Sequence, residues 1–182
     1  MPDAIRYRPE DPGVVTRFTG IRTFMKLPWV TGDLTGADFA VVGMPCDGGT
    51  TFRSGAAFGP AAIREMSLML RSGNLNLDID IFSVLSGVDR GDTNINPCDL
   101  EDSHREIEKT FDEIVRQGVL TIGLGGDHSV TLPQLRAAAR RHGPVALVQF
   151  DAHLDTYDTE NGSGLTHGTI FRRAVEEGLL DA

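Results

Sequence analysis

The chain has 182 residues, of which 40% are hydrophobic, and a formal net charge of −9 at pH 7; this size and composition are typical of one domain with a genuine core. The negative charge argues against nucleic acid as a partner, because phosphate binding needs a clustered basic surface. No apolar run approaches the ~20 residues that span a bilayer, so no membrane contact is expected. We expect a cytoplasmic protein, in which the well-separated Cys46 and Cys98 are reduced thiols.

Residues 1–34 are rich in proline, glycine and charge and are predicted to form an irregular arm. Its packing anchor is predicted to consist of four apolar residues, namely Phe24, Met25, Leu27 and Trp29. Residues 35–182 are predicted to form a single domain.

The first half of that domain alternates between strands and helices. A buried strand is predicted over residues 38–44. Pro60 opens a helix that ends near Arg71, because a proline in the first turn loses no intrahelical hydrogen bond. Residues 74–86 are compatible with either extended chain or a loop, and residues 88–92 indicate the end of a short strand.

A longer helix follows. Asp99 is a suitable cap, and apolar residues then recur on one helical face until about Gly118. His104 lies on the same side and is interpreted as a partly buried packing residue, since no other ligand-type residue is spaced to join it.

Two further apolar runs, residues 119–124 and 145–150, predict buried strands. Between them, Thr131 and Gln134 form a capping-box pattern, which predicts a helix to about Arg141. A strand, a helix and a second strand form a right-handed βαβ unit, so the fold class is α/β with a parallel sheet. A last helix is predicted after Gly168.

Side chains of the metal-binding type follow both of these strands. His128 comes after the first, and Asp151, His153 and Asp155 come directly after the second. The carboxyl ends of parallel strands open onto one crevice, and residues spaced by two in extended chain project to the same side, so the last three can face one centre. Oxygen and nitrogen donors without a thiolate favour Mn²⁺ over structural Zn²⁺. The alternative, an exposed polar turn, leaves His128 unexplained.

Together these motifs resemble the ureohydrolases, the family of arginase, agmatinase, guanidinobutyrase and proclavaminate amidinohydrolase. The matching segments are residues 125–129 (Gly-Gly-Asp-His-Ser), 150–155 (Phe-Asp-Ala-His-Leu-Asp) and 166–169 (Thr-His-Gly-Thr). The glycine-rich residues 48–60 are similar to the loop of the agmatinase-like branch, although Ser54 and Ala57 stand where that branch usually has proline and arginine.

The resemblance implies a three-layer α/β/α arginase–deacetylase-like fold with a parallel sheet, incomplete here at the C-terminus. It also implies two Mn²⁺ ions, one bound by His128, Asp151 and Asp155 and the other by Asp151 and His153. His167 matches the family histidine that shuttles a proton to the departing amine. In this chemistry a pair of cations lowers the pKa of a water molecule, which attacks a guanidine carbon.

The substrate implied is a small cationic guanidine, either agmatine or a guanidino acid, hydrolysed to an amine and urea. Ser163 resembles the amino-acid-binding serine of arginase, whereas residues 155–157 (Asp-Thr-Tyr) are closer to agmatinase and guanidinobutyrase. Asp127 is expected to orient the loop or the metal-bound groups.

The aspartate-rich segment that completes both metal sites in the family is expected beyond Ala182. The chain is therefore expected to act as a homo-oligomer or with a chain that carries the missing C-terminal part. The alternative is a non-catalytic, shortened or split ureohydrolase that binds metal weakly.

Overall fold

The computed structural model describes residues 5–181. Within this range the strands are β1 (Phe39–Met44), β2 (Gly73–Asn74), β3 (Ile79–Asp80), β4 (Gly87–Asp92) and β5 (Leu120–Gly125). The α-helices are α1 (Gly59–Ser67), α2 (Leu100–Arg116), α3 (Thr131–His142) and α4 (Ile170–Glu176). Short 3-10 turns span Phe24–Lys26, Ala56–Phe58, Ile81–Ser83 and His128–Val130. In the same range no helix is long and apolar enough to cross a membrane.

The central element is a three-stranded parallel sheet in the order β4-β1-β5. Phe39 at the start of β1 pairs with Gly87 on one side and Leu120 on the other, so the carboxyl ends of the strands lie at one edge. Strands β2 and β3 form a separate antiparallel hairpin over residues 73–80, which overlaps the start of the ambiguous segment. The predicted α/β class with a parallel sheet is confirmed.

The sheet is covered on both faces. Successive residues of a strand point to opposite sides, so alternate residues of β1 pack into two different clusters. On one face Ala40 and Val42 pack with Ile107 of α2. On the other face Val41 packs with Leu27 of the arm and with Phe82. This burial on both sides explains why β1 is a continuous apolar run.

Three of the four predicted arm anchors pack against this second face: Leu27 is buried, and Phe24 and Met25 are partly buried. The expectation is wrong for Trp29, whose side chain is largely exposed. Residues 1–4 of the predicted arm lie outside the described residues.

A buried ion pair fastens α1 to β4. The Arg64 guanidinium donates from Nε and Nη2 to the two oxygens of Asp89, at 2.8 and 2.9 Å, and from Nη1 to Asp92. Asp89 is fully buried. Burial opposes the charge of Arg64, but the hydrogen bonds to the two aspartates outweigh it and raise the pKa of the guanidinium. Strand β4 and helix α1 are therefore tied by an ion pair that is buried at Asp89 and partly exposed at Asp92.

The helix predictions succeed except at their ends. The Asp99 carboxylate caps α2 by accepting from the Asp102 amide, whereas α1 ends at Ser67, four residues before the predicted end. The predicted capping box at Thr131 is wrong. The 3-10 turn at His128–Val130 runs directly into α3, so Thr131 already has helical backbone and does not cap the helix. Asp127 caps that earlier turn instead.

The second strand of the predicted βαβ unit does not form. Val145 makes one isolated bridge to Leu180, and residues 146–150 belong to no strand. The expected burial is also wrong, since Phe150 is 96% exposed. An extended segment becomes a strand only where a neighbour satisfies its backbone, and no strand within residues 5–181 lies beside this one or on the outer edge of β5.

Candidate metal centre

Three side chains of the metal-binding type converge beyond the carboxyl end of β5. His128 lies in the 3-10 turn after that strand, and Asp151 and Asp155 lie in the segment after residues 145–150. Nδ1 of His128 is 2.6 Å from Oδ2 of Asp155 and 3.3 Å from Oδ2 of Asp151. One ligand atom from each residue lies within 4.8 Å of the other two. This set of one nitrogen and two oxygens fits a divalent cation such as Mn²⁺.

The backbone that carries the aspartates is bent, and α4 supports it. Oδ1 of Asp151 accepts the amide of His153 at 2.8 Å, which turns the chain, and Asp155 has a left-handed φ of 49° that aspartate tolerates. The amide of Phe171 donates to the Asp155 carbonyl at 3.1 Å. The Phe171 ring also meets the His128 ring edge-on, with 5.4 Å between centroids.

The expectation that His153 faces the same centre is wrong. The turn at Asp151 breaks the alternation of extended chain, and the His153 side chain is 81% exposed. His153 Nδ1 lies 3.6 Å from Oδ1 of Asp151, whereas the other oxygen of Asp151 faces His128. Asp151 thus presents one oxygen towards each histidine, an arrangement that suits a bridging carboxylate.

The Asp151 carboxylate is held in its ionised form. The hydrogen bond from the His153 amide, with a smaller contribution from the charge of His128, lowers the pKa of Asp151 below its ordinary value. A deprotonated carboxylate is the form that binds a metal ion.

His167 lines a cavity of about 380 Å³, whose wall also includes one of the three converging residues, Asp155. Asp155 and His153 lie on the wall of the same cavity, as do Tyr157 and Glu160. The backbone amide and the ring Nδ1 of His167 both lie close to the carbonyl oxygen of Gly49, at 2.9 and 2.8 Å. The glycine-rich loop therefore contacts the Thr-His-Gly-Thr motif directly.

Sequence reasoning did not single out Glu160. Its carboxylate accepts from the hydroxyls of Thr51 and Thr166, at 3.2 and 2.8 Å, so it links the glycine-rich loop to the Thr-His-Gly motif. An acidic residue between two motifs of one site is the only signal that could have revealed it. Ser163 engages the backbone of Leu165 through its hydroxyl and forms part of a turn.

Asp127 does not join the cluster of His128, Asp151 and Asp155. It is buried, and its two oxygens accept the backbone amides of Gly49, at 2.9 Å, and Ser129, at 2.7 Å.

The fold and site define a parallel α/β domain with a candidate metal centre beyond its strand ends, the usual place for such sites. The model of the Arginase family matches residues 37–182, so the chain belongs to the arginase family.

Its relatives include several guanidino hydrolases. The chain is 46% identical over 179 residues to the mitochondrial guanidino acid hydrolase of Homo sapiens, covering 98% of this chain and 51% of that protein. It is 46% identical over 177 residues to the guanidinobutyrase of Pseudomonas aeruginosa, covering 96% and 56% respectively. The structure of proclavaminate amidino hydrolase from Streptomyces clavuligerus superposes with a TM-score of 0.85 at 37% identity, over 92% of this chain and 55% of that one. The chain thus spans about half the length of these relatives.

Proposed function

We propose that this chain contributes to the hydrolysis of a guanidine C–N bond, releasing urea and an amine from agmatine or a guanidino acid. The observation that carries the proposal is the convergence of His128, Asp151 and Asp155, together with a cavity lined by both Asp155 and His167. Relatives named guanidino acid hydrolase, guanidinobutyrase and agmatinase support this reaction class.

In this proposal His128, Asp151 and Asp155 would hold one Mn²⁺ ion, and Asp151 and His153 would contribute to a second. When bound, such a pair of cations supplies a water nucleophile at neutral pH. The described residues offer three ligands for the first position and two for the second. The remaining ligands are proposed to come from polypeptide outside residues 1–182, either on the same chain or on a partner.

The cavity wall suits a planar cation. The acidic residue Glu160 lies on it, and opposite charge attracts a guanidinium group. His167 is proposed to carry the proton to the departing amine. Its ring lies on this wall and is held in place by the Gly49 carbonyl.

The experiment compares the 182-residue chain with a longer protein that contains it, using agmatine and 4-guanidinobutanoate with Mn²⁺ and measuring urea. We expect little or no urea from the 182-residue chain and turnover from the longer protein. In the longer protein His167→Ala should reduce turnover, whereas Arg172→Ala, which removes an exposed ion pair with Glu176 in α4, should leave it near the original rate.

A longer protein that binds Mn²⁺ but releases no urea from any guanidine would favour a non-catalytic role. Urea release by the 182-residue chain at about one turnover per second or faster would contradict the proposal that ligands for the second position come from elsewhere.

A further inference from the structure

The ring of His167 is held by an atom that can only accept hydrogen bonds. Its Nδ1 lies 2.8 Å from the carbonyl oxygen of Gly49, and its backbone amide donates to the same oxygen at 2.9 Å. A carbonyl oxygen has no hydrogen to donate, so Nδ1 must carry the proton. In the neutral ring Nε2 is then the atom with a free lone pair.

The Gly49 carbonyl is in turn fixed by Asp127. The Gly49 amide donates to Oδ2 of Asp127, while the Asp127 amide donates to the Cys46 carbonyl, both at 2.9 Å. These two bonds fasten the start of the glycine-rich loop to the segment after β5. Gly49 and Asp127 are 78 residues apart in the sequence.

Gly49 packs closely against the segment that carries Asp127. A Cβ atom on Gly49 would lie 2.6 Å from Cβ of Ser129 and 2.7 Å from Oδ1 of Asp127. Asp127 is itself fixed, because its Oδ1 also accepts the Ser129 amide at 2.7 Å and caps the turn that carries His128. The position of the Gly49 carbonyl is thus set by tight packing together with hydrogen bonds.

From this connected set of contacts we propose that Asp127 is a positioning residue for His167. Through the backbone of Gly49 it holds the ring in place and fixes the tautomer with hydrogen on Nδ1, leaving Nε2 to exchange a proton with a ligand in the cavity. Asp127 thus serves the proton-transfer side of the site although it is adjacent in sequence to the candidate metal ligand His128. The value of this arrangement for catalysis rests on the proposed function, but the tautomer itself does not.

The tautomer can be measured on the 182-residue chain with ¹⁵N-labelled histidine, by solution or magic-angle-spinning NMR as the size of the assembly requires. We expect a protonated, pyrrole-type signal for Nδ1 and a pyridine-type signal for Nε2 of His167 at neutral pH. An unconstrained imidazole prefers the opposite tautomer. A pyridine-type Nδ1 in the unmodified protein would overturn the proposal.

Asp127→Ser tests the connection. A serine oxygen can still cap the Ser129 amide, but it offers no second oxygen to Gly49. We expect the distinct Nδ1 signal to be lost and replaced by an averaged pair of tautomers. Ser129→Ala is the matched control, because it keeps both backbone bonds to Asp127, and it should retain the original signal.

Gly49→Ala provides a second route, since the added methyl would clash with Ser129 and Asp127 and so force the Gly49 backbone away from Asp127 without changing that residue. It should lose the same signal, and the backbone ¹H–¹⁵N spectrum shows whether each variant is folded. An unchanged His167 signal in a folded Asp127→Ser or Gly49→Ala protein would also overturn the proposal. Because none of these spectra depends on turnover, a failure of urea release would leave this result intact.

Discussion

The buried His104 of α2 predicts an acid-dependent loss of stability. Its side chain is 1% exposed, its Nε2 lies 3.3 Å from the Ser129 hydroxyl, and its buried Nδ1 has no hydrogen-bond partner among the described residues. Burial, reinforced by the positive charge of Arg136, lowers the pKa of His104 from 6.5 to about 4, and the negative charges of Asp127 and Glu177 only partly oppose this.

The sign follows from proton binding. Between pH 6.5 and about 4 the unfolded chain binds a proton at this histidine that the folded chain does not, so stability falls as the pH falls through this window. The difference between the two pKa values corresponds to about 3 kcal/mol of unfolding free energy, fully present above pH 6.5 and lost by about pH 4.

The measurement is urea-induced unfolding from pH 4 to pH 7.5 for the original protein and for His104→Gln. Glutamine stays neutral and can still donate to the Ser129 hydroxyl, whereas the carboxylates of both proteins titrate alike. The original protein should lose about 3 kcal/mol more than the variant on acidification. Parallel curves for the two proteins would refute the reasoning.

Three further outcomes are expected. Arg64→Met leaves Asp89 buried without its guanidinium and should lower the unfolding free energy by about 3–5 kcal/mol. The control Arg22→Ala removes an exposed ion pair with Glu65 and should lower it by less than about 1 kcal/mol. Equal losses in the two variants would contradict this prediction. After dialysis, Asp151→Ala should retain less Mn²⁺ than the original protein, and equal retention by metal analysis would count against the candidate centre. The chain alone should associate, because the outer edge of β5 is unpaired within residues 5–181; a monodisperse monomer in light scattering would argue otherwise.

Local patterns predicted the parts of the fold that local physics decides. The apolar run of β1 and the Asp99 cap were sufficient to predict the strand and the start of α2. A strand buried on both faces is apolar throughout, and a carboxylate often caps a helix, whatever the rest of the fold. Residues 145–150 are equally apolar but form no strand. A strand also needs a neighbouring strand to pair with, and the local sequence does not show whether one is present.

The same distinction applies to the site. The motifs located His128, Asp151 and Asp155, but the assumption of extended chain misplaced His153, since one side-chain hydrogen bond of Asp151 turns the backbone. Glu160 was missed because its role depends on hydroxyls that meet only in the folded chain.

The separation of the converging residues along the chain has a mechanical consequence. His128 and Asp155 are 27 residues apart, and the segment between them that carries Asp151 has no place in the sheet. A cation shared by these side chains would act as a removable cross-link that closes this loop, with the entropic benefit expected of a metal clip. Each tenfold rise in free metal above its dissociation constant would then stabilise the segment by about 1.4 kcal/mol, so the supply of metal would set how firmly this side of the cavity is held.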